Sequence, residues 1–448
     1  MKSTLIRNGR VIDPANNRDE IADLLIVDGY IADFSAPTER QPAPPQPTAA
    51  GDAPAETRTR TQSPREEIDA RGLIVAPGLI DLHVHLREPG QSAKETIATG
   101  AKAAAAGGFT TIVCMPNTSP AVDNPSVVTW ILEKAKSDAC INIFPTGAIT
   151  KEIAGQELAP IGSMYKAGIV ALTDDGHCVQ NHEVMRRALE YARMFGLTVM
   201  DHCQDDNLVG KGVMHEGDVS TALGLPGWPA AGEEIIVQRN VLLAELCDTP
   251  IHCQHLSSRG SIRILREARA RGVKISGEVC PHHIALTDES VRGFDTNFKM
   301  NPPLRAQRDV DALIEAIADG TISALASDHA PHCTYEKEVE FDLAPFGILG
   351  LETELGLFLD ILVHKKRAID LPRLIAMYTV EPARLLRLDR GTLSAGAPAD
   401  ITLINPDLEW KVDKDASFSR SRNTPFHGWE LKGRAVRTIA GGETVWAL

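Results

Sequence analysis

Between residues 72 and 388, short apolar runs that read as strands alternate with stretches whose apolar residues recur at helical spacing. The apolar runs end at His85, Met115, Pro145, Thr173, Asp201, Gln254, Val279 and Ser327, and helical patterns such as 183–195 and 261–271 lie between them. Strands separated by helices pair in parallel, because the crossover carries the chain back to the same edge. Eight such units point to an α/β fold of the (β/α)₈ type, a TIM barrel with its active site at the carboxyl ends of the strands. A doubly wound open sheet is the alternative, weakened by the lack of a glycine-rich phosphate loop after the first strand.

The chain ends have a different texture. Residues 1–33 and the segments 399–404, 433–439 and 444–446 are β-like and rich in turns, with hairpin signals at Asn8-Gly9 and Asp28-Gly29. They predict one small β domain assembled from both ends, residues 1–71 and 389–448, flanking a catalytic barrel over 72–388. Residues 35–67 break the pattern: seven of the 28 prolines fall between positions 36 and 65. Such a stretch buries too little apolar surface to offset its ordering entropy. It reads as a mobile surface insertion without chemistry.

A chain of 448 residues with net charge −14 lacks the clustered Lys and Arg that nucleic-acid phosphates require. No run approaches the roughly 18 apolar residues of a membrane span, and the amino terminus has no secretory apolar core. The eight cysteines form no CxxC, and most sit in or beside apolar runs. That is the pattern of reduced thiols in a cytoplasmic protein.

The strand ends carry the chemistry. The first delivers His83 and His85, spaced i, i+2 so that both imidazoles face the same way, followed by Arg87. The second runs into Pro116-Asn117-Thr118, the fourth into Asp174-Asp175-Gly176, and the fifth into Asp201-His202-Cys203. The sixth ends in His252-Cys253-Gln254-His255 and the eighth in Ser327-Asp328-His329-Ala330-Pro331-His332. Taken singly these have bland readings: Asp174 and Asp175 suit a helix cap, and His252 suits space-filling. Position defeats the bland readings jointly. In a barrel these ends face one funnel, and four buried histidines with two carboxylates need a common partner, for which a metal ion is the natural choice.

These motifs, together with Asn301-Pro302-Pro303-Leu304-Arg305, resemble the amidohydrolase superfamily of metal-dependent barrels and, more closely, the bacterial class I dihydroorotases. The resemblance covers nearly the whole chain outside the Pro-rich segment. It implies the barrel with a small β-sandwich built from both ends. It makes His83, His85 and Asp328 ligands of one metal and His202 and His255 ligands of a second, with Asp175 bridging or close to both. Many superfamily members place a carboxylated lysine at the strand 4 position; this chain has none there, and aspartate matches the class I branch. The implied cofactor is Zn²⁺, one or two per subunit, though His/Asp ligation also admits Mn, Co or Fe.

For substrate, the resemblance points to His85, Arg87, Asn117, Asn301, His332 and the backbone near Phe346 and Gly347. An arginine fork suits a small carboxylate, and asparagines suit an amide-bearing ring. The implied reaction is reversible closure of N-carbamoyl-L-aspartate to dihydroorotate, with Asp328 as proton shuttle. The expected partner is therefore a small molecule rather than nucleic acid or membrane, with a homodimer as oligomer and aspartate transcarbamoylase as an associating protein. Two other readings compete. A hydantoinase, dihydropyrimidinase or allantoinase shares His-x-His but generally carries the strand 4 lysine and needs no arginine at position 87. A non-catalytic scaffold for a transcarbamoylase would be expected to have lost the ligands that this chain keeps.

Overall fold

The computed structural model describes residues 2–35 and 66–448. Its centre is a ring of short parallel strands: β1 (Leu79–Val84), β2 (Phe109–Cys114), β3 (Asn142–Pro145), β4 (Ala171–Leu172), β5 (Thr198–Asp201), β6 (Ile251–Cys253), β7 (Ile275–Val279) and β8 (Ala324–Leu325). β1 to β3 form one ladder and β4 to β8 another. Bridges from Gly147 to Leu172 and from Val84 to His329 close the ring. Each strand ends within two residues of the position expected from the apolar runs, so the barrel reading holds.

The ring is filled, not hollow. Ile80, Leu82, Val113, Met115, Ala171, Met200, Ala324 and Ala326 pack inside it, and Ala383 and Leu386 of the helix Val380–Leu386 plug the end opposite the site. Outside, helices cover the strands with their apolar faces, sharing one continuous core with Val84, Leu86, Ile112 and Val199. Local sequence sets the helix ends. Asn181 caps His182–Phe195 by accepting from the backbone of Glu183 and Val184, and Ser258 caps Arg259–Ala270 in the same way.

The first strand carries a detail that aims the chemistry. Ile80 and Leu82 face the inner core, whereas Val84 and Leu86 belong to the outer one. Strict alternation from Leu82 would send His83 outward. The register of β1 against β2 shifts between Asp81 and Val84, and this irregularity turns His83 and His85 together into the funnel.

The chain ends meet in an eight-stranded sheet. In order it runs Glu443–Ala447, Glu430–Ala440, Ile401–Lys411, Ile74–Pro77, Ser3–Asp13, Arg18–Val27, Tyr30–Ser35, with Glu66–Asp69 also paired to Ser3–Asp13. Its core joins Ile6, Val11, Leu24 and Ile26 from one end to Ile401, Leu403 and Ile439 from the other. Three expectations need correction. Ile74–Pro77, assigned to the barrel by a boundary at residue 72, pairs with Ser3–Asp13 and Ile401–Lys411. Asn8-Gly9 is not a hairpin turn but a bulge inside the first strand, where Asn8 takes φ 60° and its N–H donates to Asp23. A side chain at Gly9 would strike Val75, so the glycine there serves close packing. Finally, Ser35 and Glu66–Asp69 are strand residues, and the rest of the expected insertion, 36–65, lies outside the described residues. Asp28-Gly29 does turn between Arg18–Val27 and Tyr30–Ser35. Among the described residues no helix is long and apolar enough to cross a membrane.

Candidate metal centre and active site

At the carboxyl ends of the strands, His83, His85, Asp175, His202, His255 and Asp328 converge, all buried. Asp175 sits between two histidine pairs. Its Oδ2 lies 3.4 Å from His83 Nε2 and 3.3 Å from His85 Nε2, and its Oδ1 lies 3.2 Å from His202 Nδ1 and 3.3 Å from His255 Nε2. Asp328 Oδ1 joins the first pair, 3.1 Å from His85 Nε2 and 3.6 Å from His83 Nε2. Two triads, His83/His85/Asp175 and Asp175/His202/His255, each have their donor atoms within 4.8 Å of one another.

These separations fit a metal. Ligands about 2.0–2.1 Å from one tetrahedral ion lie roughly 3.3–3.4 Å apart, close to most of those seen around Asp175. His83 Nε2 is also fully buried with no hydrogen-bond partner, although it faces two carboxylates. An orphaned ring nitrogen aimed at anionic oxygens suits a metal ion between them.

The electrostatics agree. Burial works to depress His83, but Asp175, Glu278 and Asp328 outweigh it and hold the imidazole well above its usual range. Burial likewise works to raise Asp175, and His83, His202 and His255 overcome it, holding the carboxyl well below the ordinary value. Asp328 is depressed against its burial by His85 and His83. The centre is thus an anionic pair of carboxylates inside a ring of imidazoles, and a divalent cation would supply the positive charge that the raised His83 and His202 supply without it.

A cavity of about 320 Å³ opens above the centre. It is lined by every residue that the sequence marked for substrate: His85, Arg87, Asn117, Asn301, His332, Phe346 and Gly347. Their hydrogen bonds leave a defined set of free groups. The His85 Nδ1–H donates to Asn117 Oδ1 at 2.9 Å, so the group Asn117 still offers is its NH₂. Asn301 donates through Nδ2 to Gln204 Oε1 at 3.1 Å, and its Oδ1 is buried without a partner. The His332 Nε2–H donates to the Phe346 carbonyl at 2.8 Å, leaving Nδ1 as a buried, unpartnered acceptor. Burial and the cations Arg87, Lys337 and Lys94 push His332 down to about 2, so this imidazole stays neutral. Arg87, with φ 60°, donates Nε–H to the Pro331 carbonyl at 3.2 Å. That leaves the Nη edge of its guanidinium as the one it can turn to a ligand. Burial lowers Arg87 only to about 10, so it remains charged.

Sequence reading missed three residues. Glu278, near the end of β7, accepts from His83 Nδ1 at 2.7 Å and from His252 Nε2 at 3.1 Å. Burial works to raise its carboxyl, but bonds from His252 and His83 bring it down to about 2. The clue was available: a Glu inside an otherwise buried strand run, Ile-Ser-Gly-Glu-Val, needs a cationic or donor partner. Gln254 bonds Thr173 at 2.9 Å and approaches His83 Nδ1 at 3.3 Å, and Gln204 receives His202 Nε2 at 3.0 Å. His252, for which space-filling was one reading, has both ring nitrogens engaged, by Ser276 and Glu278, and is not a ligand. Because Glu278 fixes the ring of His83, Glu278→Gln should weaken metal affinity by about 10–100-fold. Competition with a chromogenic chelator checks this, and wild-type affinity would reduce Glu278 to packing.

A barrel with four histidines and two aspartates gathered at its strand ends defines the class of metal-dependent amidohydrolases. Known proteins agree. The amidohydrolase family matches residues 249–446, and the dihydro-orotase-like family matches residues 72–261. The dihydroorotase of Citrifermentans bemidjiense is 51% identical over 442 residues, 99% of each chain. That of Geobacter metallireducens is 50% identical over 442 residues, again 99% of each. Among solved structures, the L-hydantoinase (dihydropyrimidinase) of Arthrobacter aurescens has a TM-score of 0.85 at 23% identity, covering 100% of this chain and 98% of that one, a likeness of fold. The chain belongs to the dihydroorotase family.

Proposed function

We infer that the chain catalyses the dihydroorotase reaction, the reversible closure of N-carbamoyl-L-aspartate to dihydroorotate and water, a step of pyrimidine synthesis. The observation that carries this reading is the match between the cavity's free groups and the ligand. Arg87 faces the cavity and, with its Nε–H on the Pro331 carbonyl, has its Nη groups for one carboxylate, Nη2 lying 3.5 Å from His332 Nε2. The NH₂ of Asn117 suits a ring carbonyl, and the unpartnered Asn301 Oδ1 suits a ring N–H group.

His83, His85 and Asp328 would hold one divalent ion, His202 and His255 a second, with Asp175 between them; we assign zinc. Such an ion supplies Lewis acidity and lowers the pKa of water. The protein's own residues do the rest. Arg87 and the two asparagines fix the ring, so that its amide carbon faces Asp328. In the opening direction Asp328 takes the proton of the attacking water and passes it to the departing ring nitrogen. In closure it takes the proton from that nitrogen and returns it to the leaving oxygen. Opening turns one carboxylate into two and releases a proton near neutral pH, so lower pH favours closure.

The direct test is turnover of dihydroorotate alongside dihydrouracil and hydantoin, with metal content measured on the same protein. Chelation should abolish turnover and added zinc should restore it; full activity in metal-free protein would overturn the metal assignment. All eight cysteines are free, which supports a cytoplasmic setting. A homodimer and an association with aspartate transcarbamoylase complete the reading, and light scattering with and without that partner tests both.

A further inference from the structure

The strands Ile401–Lys411 and Glu430–Ala440 of the terminal sheet are joined by residues 412–429, which leave the sheet and reach the rim of the active-site cavity. Two of the anchors of this strap lie beside the site. At one, Ser419 Oγ and the Arg420 N–H donate to Glu95, whose carboxylate lies 3.3 Å from His329 Nε2 beside the catalytic loop. At the other, the buried side chain of Asn423 uses both ends of its amide. Oδ1 accepts the His332 N–H at 3.1 Å, and Nδ2 donates to the carbonyls of Ala330 at 3.0 Å and Gly347 at 3.2 Å. Its own carbonyl accepts the Leu349 N–H at 2.9 Å.

Those four bonds join the two loops that form one wall of the cavity, 328–332 and 345–349. The loops pass so close that a Cβ on Gly347 would lie 2.6 Å from that of Ala330. Between the two peptide groups that Asn423 holds in the first loop stands Pro331, whose carbonyl accepts from Arg87 Nε. We propose that Asn423 is a positioning residue for substrate carboxylate recognition, fixing the 330–332 backbone and, through the Pro331 carbonyl, the direction of Arg87. The proposal rests on the dihydroorotase reading above. Only a primary amide of this length meets one N–H and two carbonyls at once; a carboxylate would face two carbonyls with no hydrogen to offer.

Asn423→Asp tests this at constant size. KM for dihydroorotate should rise about 10-fold, the scale of one or two lost bonds, while kcat stays within about 3-fold and metal content is unchanged. The double variant with Arg87→Lys should lose less than the product of the single effects, because both act on one contact. Hydrogen exchange of the His332 amide, which needs no substrate, should quicken. Unchanged KM, multiplicative losses with Arg87→Lys, or unaltered exchange at His332 would each overturn the proposal. If Asn423→Asp does not fold, Asn423→Ser, uncharged and lacking the two donors, undergoes the same measurements. A wild-type protein inactive on dihydroorotate would sink the functional reading instead, and the exchange data would still judge Asn423.

Discussion

Asp328→Asn should lower kcat for ring opening and ring closure alike by at least about 100-fold, the usual scale for loss of a general acid–base group. On the proposed reading the residue has two tasks. Its Oδ1 stands with His83 and His85, where a metal ligand must be ionised, and it lines the cavity, where a shuttle must accept a proton during turnover. His85 and His83 depress its carboxyl despite burial, so the resting residue is ionised and holds a proton only transiently. Asparagine keeps the size and removes both the charge and the proton acceptor. Metal content must be read alongside rate, because a carboxylate ligand is also gone. An Asn variant that keeps its metal and runs near wild-type speed would remove Asp328 as shuttle. His332 makes a poor substitute, since its imidazole is held neutral with a pKa of about 2.

Arg87→Lys should cost on the order of 2–4 kcal/mol in kcat/KM on dihydroorotate, the range for weakening a buried, charge-assisted pair. It should cost far less on uncharged dihydrouracil. Lysine keeps the charge but loses two features: the planar edge that meets both oxygens of a carboxylate, and the Nε–H that ties the guanidinium to the Pro331 carbonyl. Arg87 is only 8% exposed, so water compensates little for a misplaced cation. Steady-state kinetics on both substrates decide it. Equal losses on the two would assign Arg87 to general architecture rather than to carboxylate recognition.

The barrel was legible because most of its strands are short apolar runs, and several end in a residue type that apolar runs rarely tolerate. His83, Asp175, His202, His255 and Asp328 announce themselves by breaking such runs. Glu278 breaks one too, but as a partner of His83 rather than a cavity group, and nothing in its neighbourhood in sequence names that partner. Asn423 lies 91 residues from the His332 amide it holds, in a turn-rich segment with no periodic pattern. Its role exists only once two distant loops are brought together. Asn8-Gly9 shows the opposite error: a dipeptide suited to a turn was used for a bulge, because tertiary pairing with Asp23 and Val75 decided between two conformations that both need a positive φ at Asn8.

The order of strands in the terminal sheet has a consequence for biosynthesis. Ile74–Pro77 lies between Ser3–Asp13 and Ile401–Lys411, so during synthesis its outer edge stays open until Ile401–Lys411 emerges, about 320 residues later. The barrel can close first, from 79 to 329, with the histidines and aspartates of the proposed metal centre already gathered. The strap bearing Asn423 emerges after every strand of the barrel. A nascent chain stalled before it would carry the proposed metal centre beside an unfinished cavity wall, and on the reading above carboxylate recognition would begin only once the strap is in place.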